Sequence, residues 1–222
     1  MIPDALDSER QDVGSAIDDY SAKRFQAAVK RGLDRLGAGF LLFVLSPLFC
    51  LVALLVRLQD GGPILHKRWV VGPKGELAAY KFRTMRIDAD QVLAGDPELR
   101  RRYERNFKLA HDPRVTRVGG FLRKYSLDEL PQLWNVVQGE MSLVGPRMIT
   151  KAELEKYGPY QEIIVKIKPG ITGYWQVNGR QRLSYGERVQ MDMNYIRHWS
   201  LLLDLYILCR TPLKVIRGEG AY

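Results

Sequence analysis

Residues 36–56 read LGAGFLLFVLSPLFCLVALLV, 21 positions without a charged side chain. A helix needs about 20 apolar residues to cross the hydrocarbon core of a bilayer, so this stretch is long enough to enter one. A soluble core helix of that length carries a polar stripe, and here there is none. Ser46-Pro47 stands at the midpoint. Proline lacks an N–H and its ring clashes with the carbonyl four residues back, so the helix bends or stops there. Two topologies follow: a kinked single pass, or a helix–break–helix hairpin that enters one leaflet and returns. Flanking charge favours the hairpin. Lys23, Arg24, Lys30, Arg31 and Arg35 precede the run, and Arg57, Lys67, Arg68 and Lys74 follow it. With both ends basic, neither has a reason to cross. In the hairpin Ser46 is placed to satisfy a backbone group that the break releases. A signal peptide fits poorly, because the preceding leader is long and acidic and no small-x-small site follows.

Outward from this run the chain divides into four segments. Residues 1–22 read as a flexible acidic leader. Residues 23–60 combine a basic interfacial helix (Lys23–Arg35) with the re-entrant membrane helix. Residues 61–190 read as a cytosolic domain, and 191–222 as a C-terminal amphipathic helix and tail. In the third segment, Ile64–Val71 and Glu76–Arg83 flank Gly72-Pro73-Lys74-Gly75, which predicts a β-hairpin. Leu99, Tyr103 and Phe107 recur every fourth residue and predict a solvated helix with one apolar seam. Met191–Ile216 reads as one amphipathic helix, suited to a membrane surface or to a core. The fold class is α+β: mostly helical, with a small β-hairpin, a re-entrant membrane hairpin and surface amphipathic helices.

Composition narrows the chemistry. With 34 Lys+Arg against 25 Asp+Glu, the net charge of +9 asks for an acidic partner. Nucleic acid is a poor candidate, since the bases are spread along the chain rather than gathered on one face with aromatic platforms. Cys50 and Cys209 have no CxxC spacing and sit in apolar surroundings, so they read as reduced, buried thiols. His66, His111 and His198 are scattered and predict no zinc site. Phosphate-loop, nucleophile-elbow and dinucleotide signatures are absent from the sequence.

The chemistry concentrates in Ser126-Leu127-Asp128-Glu129-Leu130-Pro131. Ser126 and Glu129 have capping-box spacing; alternatively, Pro131 opens a helix as its first residue. Both versions put Asp128 and Glu129 at a helix N-terminus, where the dipole favours ionised carboxylates. An ionised aspartate can attack phosphorus, while its neighbour helps to hold a hard cation such as Mg²⁺. Plain N-capping explains an isolated S-x-D-E as well. Its company argues for more: Lys81 and Arg83 two apart on a predicted strand, Arg123 just before the acids, and Arg147 and Arg180 each after a glycine-containing turn. Arginine forks bind phosphate oxygens bidentately, and a pyrophosphate needs several such donors.

Asp60-Gly61-Gly62-Pro63, Tyr80–Met85, Asp112–Thr116, Arg123–Asn135, Gly139–Arg147 and Lys168–Gly173 together resemble the bacterial sugar transferases, over about Lys23–Tyr222. These are monotopic polyprenyl-phosphate phosphoglycosyl transferases, and the chain is similar to their compact exopolysaccharide-type members. The resemblance implies transfer of a hexose 1-phosphate, glucose or galactose, from a UDP-sugar to undecaprenyl phosphate with release of UMP. It further implies Asp128 as nucleophile of a covalent, two-step reaction, Glu129 beside it, and Mg²⁺ at the pair. Lys81, Arg83, Arg123, Arg147 and Arg180 then become phosphate or nucleotide contacts, and Ser46-Pro47 the helix break. The implied setting is the cytoplasmic face of a bacterial inner membrane, among its lipids, with the oligomeric state open. One departure stands out: Met148 replaces the final proline of the family's Gly-Pro-Arg-Pro, removing a φ restraint behind Arg147. The rival is a non-enzymatic membrane scaffold, which would leave the acidic pair idle.

Overall fold

A computed structural model describes residues 24–106, 109, 112–179 and 183–216. The leader, Phe107 and Arg180 lie outside the described residues. Helix α1 (Arg24–Val44) and helix α2 (Ser46–Asp60) meet at Leu45 with a bend of 64°. No single helix among the described residues is long and apolar enough to cross a membrane, whereas the bent pair passes that test together. The cause of the bend is local. An α-helical residue 47 would donate to the carbonyl of Phe43, and Pro47 has no proton to give. Ser46 Oγ donates to that same carbonyl at 2.7 Å. On either side the ladder resumes, Leu45 N to Leu41 O and Phe49 N to Leu45 O, each at 2.9 Å.

Helix α1 runs unbroken through Arg35, so the expected interfacial helix and the first half of the apolar run are one rod. One of its faces is internal and polar. Lys30 Nζ donates to Asp204 at 2.6 Å and to the Val144 carbonyl at 3.0 Å, and Ser142 Oγ donates to Asp34 at 2.6 Å. Lys30 therefore faces a buried acid rather than lipid headgroups. Elsewhere large apolar side chains of the pair stand open: Leu36 is 75%, Phe43 79% and Leu58 70% exposed.

Strands β1 (Leu65–Gly72) and β2 (Gly75–Phe82) form the expected antiparallel hairpin, with Gly72 opposite Gly75 and Pro73-Lys74 at the tip. Two short helices follow, α3 (Ala89–Gly95) and α4 (Pro97–Asn106). Leu99 of α4 is buried, and the Arg114 guanidinium stacks 4.7 Å from the Tyr103 ring. Helix α5 (Arg117–Lys124) starts on Thr116, whose hydroxyl accepts from Gly119 N. A Cβ on Gly119 would lie 2.0 Å from the Thr84 carbonyl oxygen, so α5 can approach the end of the hairpin only with glycine there.

Beyond a 3₁₀ turn at Leu127–Glu129 lies α6 (Gln132–Gln138). Buried Asn135 extends the hairpin edge from α6: its amide donates to Ala78 O and accepts from Tyr80 N. Strand β3 (Ser142–Val144) pairs in parallel with β4 (Gly170–Thr172), a two-strand ladder too short to be read from hydropathy. Between these strands run α7 (Lys151–Leu154), a 3₁₀ stretch at Glu155–Tyr160, and α8 (Gln161–Ile164). A Cβ on Gly170 would meet Gly145 N at 2.2 Å, so glycine lets the Gly-Pro-Arg loop and the Lys-Pro-Gly loop touch.

The chain ends in α9 (Tyr174–Asn178), α10 (Tyr185–Arg197) and α11 (Leu201–Ile216). The expected single helix over 191–216 is thus two. The chain breaks at His198–Ser200, where Ser200 Oγ accepts from Leu203 N and the Trp199 indole donates to Asp204. Met193, Tyr195, Ile196 and Trp199 of the first part enter the core, while Leu202 and Tyr206 of α11 are exposed.

Three apolar clusters tie the segments together. One joins Ala27 to Tyr157, Val189, Met193 and Trp199. A second joins Ala38 to Val70, Leu133, Val136 and Met148. A third joins Val52 and Val56 to Phe82 and Leu122. The helix pair is packed into the same cores as the hairpin and α6. Cys50 and Cys209 are exposed, contrary to the burial expected of them. Their apolar neighbours belong to outward faces of α2 and α11.

Candidate active site

Ser126 has φ 53° and ψ 23°, the only non-glycine residue with positive φ among the described residues. A side chain in the left-handed region costs energy and persists only where its surroundings enforce it, as active-site turns often do. This geometry turns the chain sharply out of α5 and sets Leu127–Glu129 in the 3₁₀ turn. The expected capping box is absent, because a left-handed Ser126 makes no side-chain cap bond. Pro131 is the residue before α6, not its first. Asp128 and Glu129 therefore precede the α-helix, and the dipole argument for their ionisation gives way to burial and a lysine.

Asp128 is 8% exposed. Burial pushes its carboxyl up to about 6, Lys81 pulls it back, and the adjacent Glu129 charge adds to the rise. Lys81 Nζ, from the end of β2, lies 4.0 Å from Asp128 Oδ2 and donates to Glu129 Oε1 at 2.5 Å. Burial also opposes charge on Glu129, but the Lys81 ammonium and its hydrogen bond hold that carboxyl below the ordinary range. The two acids are thus unlike. Glu129 is ionised and hydrogen-bonded to Lys81, while Asp128 titrates near 6 with the same ammonium 4.0 Å away. A desolvated carboxylate of this kind can attack an electrophilic phosphorus.

The other expected contacts divide. Arg123 Nε donates to Thr84 Oγ1 at 2.9 Å. Burial lowers the Arg123 guanidinium, and the nearby Asp128 charge opposes that shift. Arg147 is felt by Glu129 as a stabilising charge, as is Arg68 from β1. Lys81 contacts the acids directly, while Arg123 acts on Asp128 and Arg147 on Glu129 as charges. Arg83 is placed otherwise. β2 ends at Phe82, and the Arg83 guanidinium forks onto Asp60 while also donating to the carbonyls of Pro63 and Met85. It clamps the end of α2 to the hairpin, and Asp60 is correspondingly held far below the usual carboxylate range. Among the described residues no three His, Cys, Asp or Glu side chains gather. Mg²⁺ asks for less, one or two carboxylates with substrate phosphates and water, and Asp128 with Glu129 is a donor set of that kind.

Sequence reasoning missed what holds Arg147. The buried Asp192 of α10 accepts from Arg147 N, at 3.3 Å on each oxygen, and from the Tyr157 hydroxyl at 2.8 Å. Burial pushes the Asp192 carboxyl up to about 7. The available signal was a carboxylate on the apolar stripe of α10, between Val189 and Met193. Met148, in place of a proline, fills the second core cluster directly behind this loop.

The model of a family described as bacterial sugar transferase matches residues 25–218. The chain is 45% identical over 198 residues to the exopolysaccharide production protein ExoY of Sinorhizobium fredii, covering 87% of this chain and 88% of that one. It is 44% identical over 211 residues to the undecaprenyl-phosphate galactose phosphotransferase of Salmonella typhimurium, covering 93% of this chain and 44% of that one. To the UDP-glucose:undecaprenyl-phosphate glucose-1-phosphate transferase of Escherichia coli it is 37% identical over 204 residues, 87% of this chain and 41% of that one. The chain thus spans under half the length of these two enzymes and most of the length of ExoY. The acidic pair, its lysine and the matched length agree: the chain belongs to the bacterial sugar transferase family.

Proposed function

We propose that the protein transfers a hexose 1-phosphate from a UDP-sugar to undecaprenyl phosphate through Asp128. The observation that carries this reading is the desolvated Asp128 carboxylate, held 4.0 Å from the Lys81 ammonium. An Asp128 oxygen attacks the sugar-linked phosphorus. The bond from that phosphorus to the bridging oxygen breaks, and UMP leaves with the electron pair. The phosphate oxygen of the lipid then attacks the same phosphorus and restores the carboxylate. Lys81 and Arg123 offset the charge that builds on the phosphoryl oxygens, and Arg147 holds the donor. Mg²⁺, when bound by Asp128 and Glu129, supplies further neutralisation of the phosphate charge.

Embedding in one leaflet suits an acceptor with an apolar tail and an anionic head. The apolar limbs on either side of the Ser46-Pro47 break run about 15 Å each at 1.5 Å per residue, half the roughly 30 Å hydrocarbon core. Both end in arginine, at Arg35 and Arg57. These features favour a hairpin in the cytoplasmic leaflet of a bacterial inner membrane over a span. Relatives named for galactose and for glucose support a hexose donor.

The test is purified protein with UDP-glucose or UDP-galactose, Mg²⁺ and undecaprenyl phosphate, following UMP. Wild type releases UMP, and with radiolabelled donor alone it retains sugar phosphate on the chain; Asp128→Asn does neither. Turnover by the variant at the wild-type rate removes Asp128 from the reaction, and a silent wild type with every UDP-sugar leaves the scaffold reading. Labelling of engineered cysteines near Arg35 and Asp60 from one side only supports the hairpin, and labelling from opposite sides a span.

A further inference from the structure

Trp175 of α9 is 5% exposed and is flanked by two cations. The guanidinium carbons of Arg147, from the loop after β3, and Arg188, from the first turns of α10, each lie 5.1 Å from its ring centroid. Three buried N–H donors meet here without a hydrogen-bond partner among the described residues: Arg147 Nε, Arg188 Nε and Trp175 Nε1. The carboxylates within electrostatic reach are engaged elsewhere. Glu153 pairs with Arg68 and caps α7 through Thr150, and Asp192 takes the Arg147 amide and the Tyr157 hydroxyl. Burial lowers the Arg188 guanidinium, the Arg147 charge lowers it further, and the Glu153 charge only partly offsets the two. An indole face attracts cations, so Trp175 offsets part of their repulsion and holds the two forks together. Buried donors that stay unpaired cost free energy comparable to a lost hydrogen bond. A cluster with donors and no acceptor asks for a ligand made of acceptors.

We propose that Arg188 and Trp175 complete, with Arg147, a clamp for the diphosphate of the nucleotide-sugar donor. The ligand's identity rests on the transfer reading above; the need for an oxyanion rests on the donors alone. Two planar forks against one ring match two linked phosphates, each offering several charged oxygens. Arg147, which the transfer reading assigns to the donor, is shared between this clamp and that site. Arg188 is a donor-binding residue and Trp175 a positioning residue that spaces the two guanidinium groups.

Calorimetric titration of the full chain with UDP, UMP and inorganic pyrophosphate tests this directly, beside donor and acceptor kinetics. Arg188→Gln is expected to weaken UDP and pyrophosphate about tenfold or more, and UMP less, the loss of one bidentate partner. It raises KM for the UDP-sugar with little change in kcat, and leaves KM for undecaprenyl phosphate unaltered. Arg188→Lys recovers part of the affinity, because it returns the charge without the fork. Trp175→Phe keeps the ring face but loses the indole donor, and weakens UDP by a smaller factor. Should Arg188→Gln fail to fold, the other two variants carry the comparison. Affinity for UDP and pyrophosphate within twofold of wild type in the folded variants overturns the clamp, as does a rise in KM confined to the lipid acceptor. Nucleotide binding is measured without turnover. A wild type that binds UDP through Arg188 but transfers no sugar keeps the clamp and sinks the transfer reading; one that transfers sugar with UDP affinity indifferent to Arg188 does the reverse.

Discussion

Two buried aspartates in this molecule are raised by the same force but held by different neighbours. Asp128 is pushed up to about 6 and Asp192 to about 7, and in both cases burial is the largest cause. The neighbours differ. Asp128 stands 4.0 Å from an ammonium and is next in sequence to a second carboxylate. Asp192 is met by a phenol and a peptide N–H, and the charge of Arg147 comes only after them among the influences that hold it down. Desolvation sets how far a carboxyl rises, and the neighbour decides whether the ionised form is kept for chemistry or tolerated as a hydrogen-bond acceptor.

The largest expected effect comes from removing the cation that distinguishes the first site. Lys81→Gln takes away the main influence holding Asp128 down, so the Asp128 carboxyl rises above about 6 and the acid limb of the rate profile moves to higher pH. It also frees Glu129 and, on the proposed transfer, removes a charge facing the phosphoryl group. Loss of one such preorganised donor costs about 10²–10³ in rate. UMP release measured from pH 5 to 9 checks both parts. A loss of rate with no displacement of the acid limb would mean that Lys81 acts on substrate alone.

How much of this was legible beforehand depends on the range of the interaction. The break at Ser46-Pro47 is local: a proline and the carbonyl four residues back are fixed by the chain itself, and the Ser46 hydroxyl lies within reach of the orphaned oxygen. The β-hairpin was legible for the same reason, from two β-like runs flanking Gly72-Pro73-Lys74-Gly75. The acidic pair was visible as residues but not as geometry. Nothing in S-L-D-E says that Ser126 takes a left-handed turn instead of capping a helix; the turn packs against β2, whose Lys81 lies 48 positions from Glu129. Arg83 looked equivalent to Lys81 because strand spacing is 2.0, yet the strand stops at Phe82 and Asp60, 23 positions earlier, claims the guanidinium. Lys30 was misjudged because α1 turns a polar face to the core, so charge does not mark the outside there. Cys50 and Cys209 were misjudged because α2 and α11 also carry apolar side chains outward, so apolar sequence neighbours do not mark burial. The Trp175 cluster depends on three separate loops and helices meeting, and no local pattern announces it.

An intermediate effect follows from Asp192. Its folded value near 7 exceeds the unfolded value of 3.8, so between these the native state holds a proton that the unfolded chain has lost. Stability therefore falls as pH rises from about 4 to about 7. Asp192→Asn removes that titration and flattens the slope, by up to about 4 kcal/mol over the window at 1.36 kcal/mol per unit. Asp128→Asn flattens a narrower window that closes near pH 6. Urea midpoints at pH 4, 5, 6, 7 and 8 separate the two. Identical windows for both variants would mean that the neighbours do not distinguish the sites.

Tyr157→Phe asks the smallest and sharpest question of the pair. The phenol donates to Asp192 at 2.8 Å and is itself raised far above its ordinary value, so it remains a donor throughout the accessible range. Its hydrogen bond works against the rise that burial imposes on Asp192. Removing it costs about 1 kcal/mol, the net worth of one buried hydrogen bond. It also lets Asp192 titrate above 7, which extends the falling limb of stability toward alkaline pH while Asp128 is untouched. The variant's stability curve should thus depart from wild type chiefly above pH 7, with the acid limb of UMP release unmoved. A uniform loss at every pH would show the phenol acting only as packing, and would leave the backbone amide of Arg147 as the hydrogen bond that restrains Asp192 among the described residues.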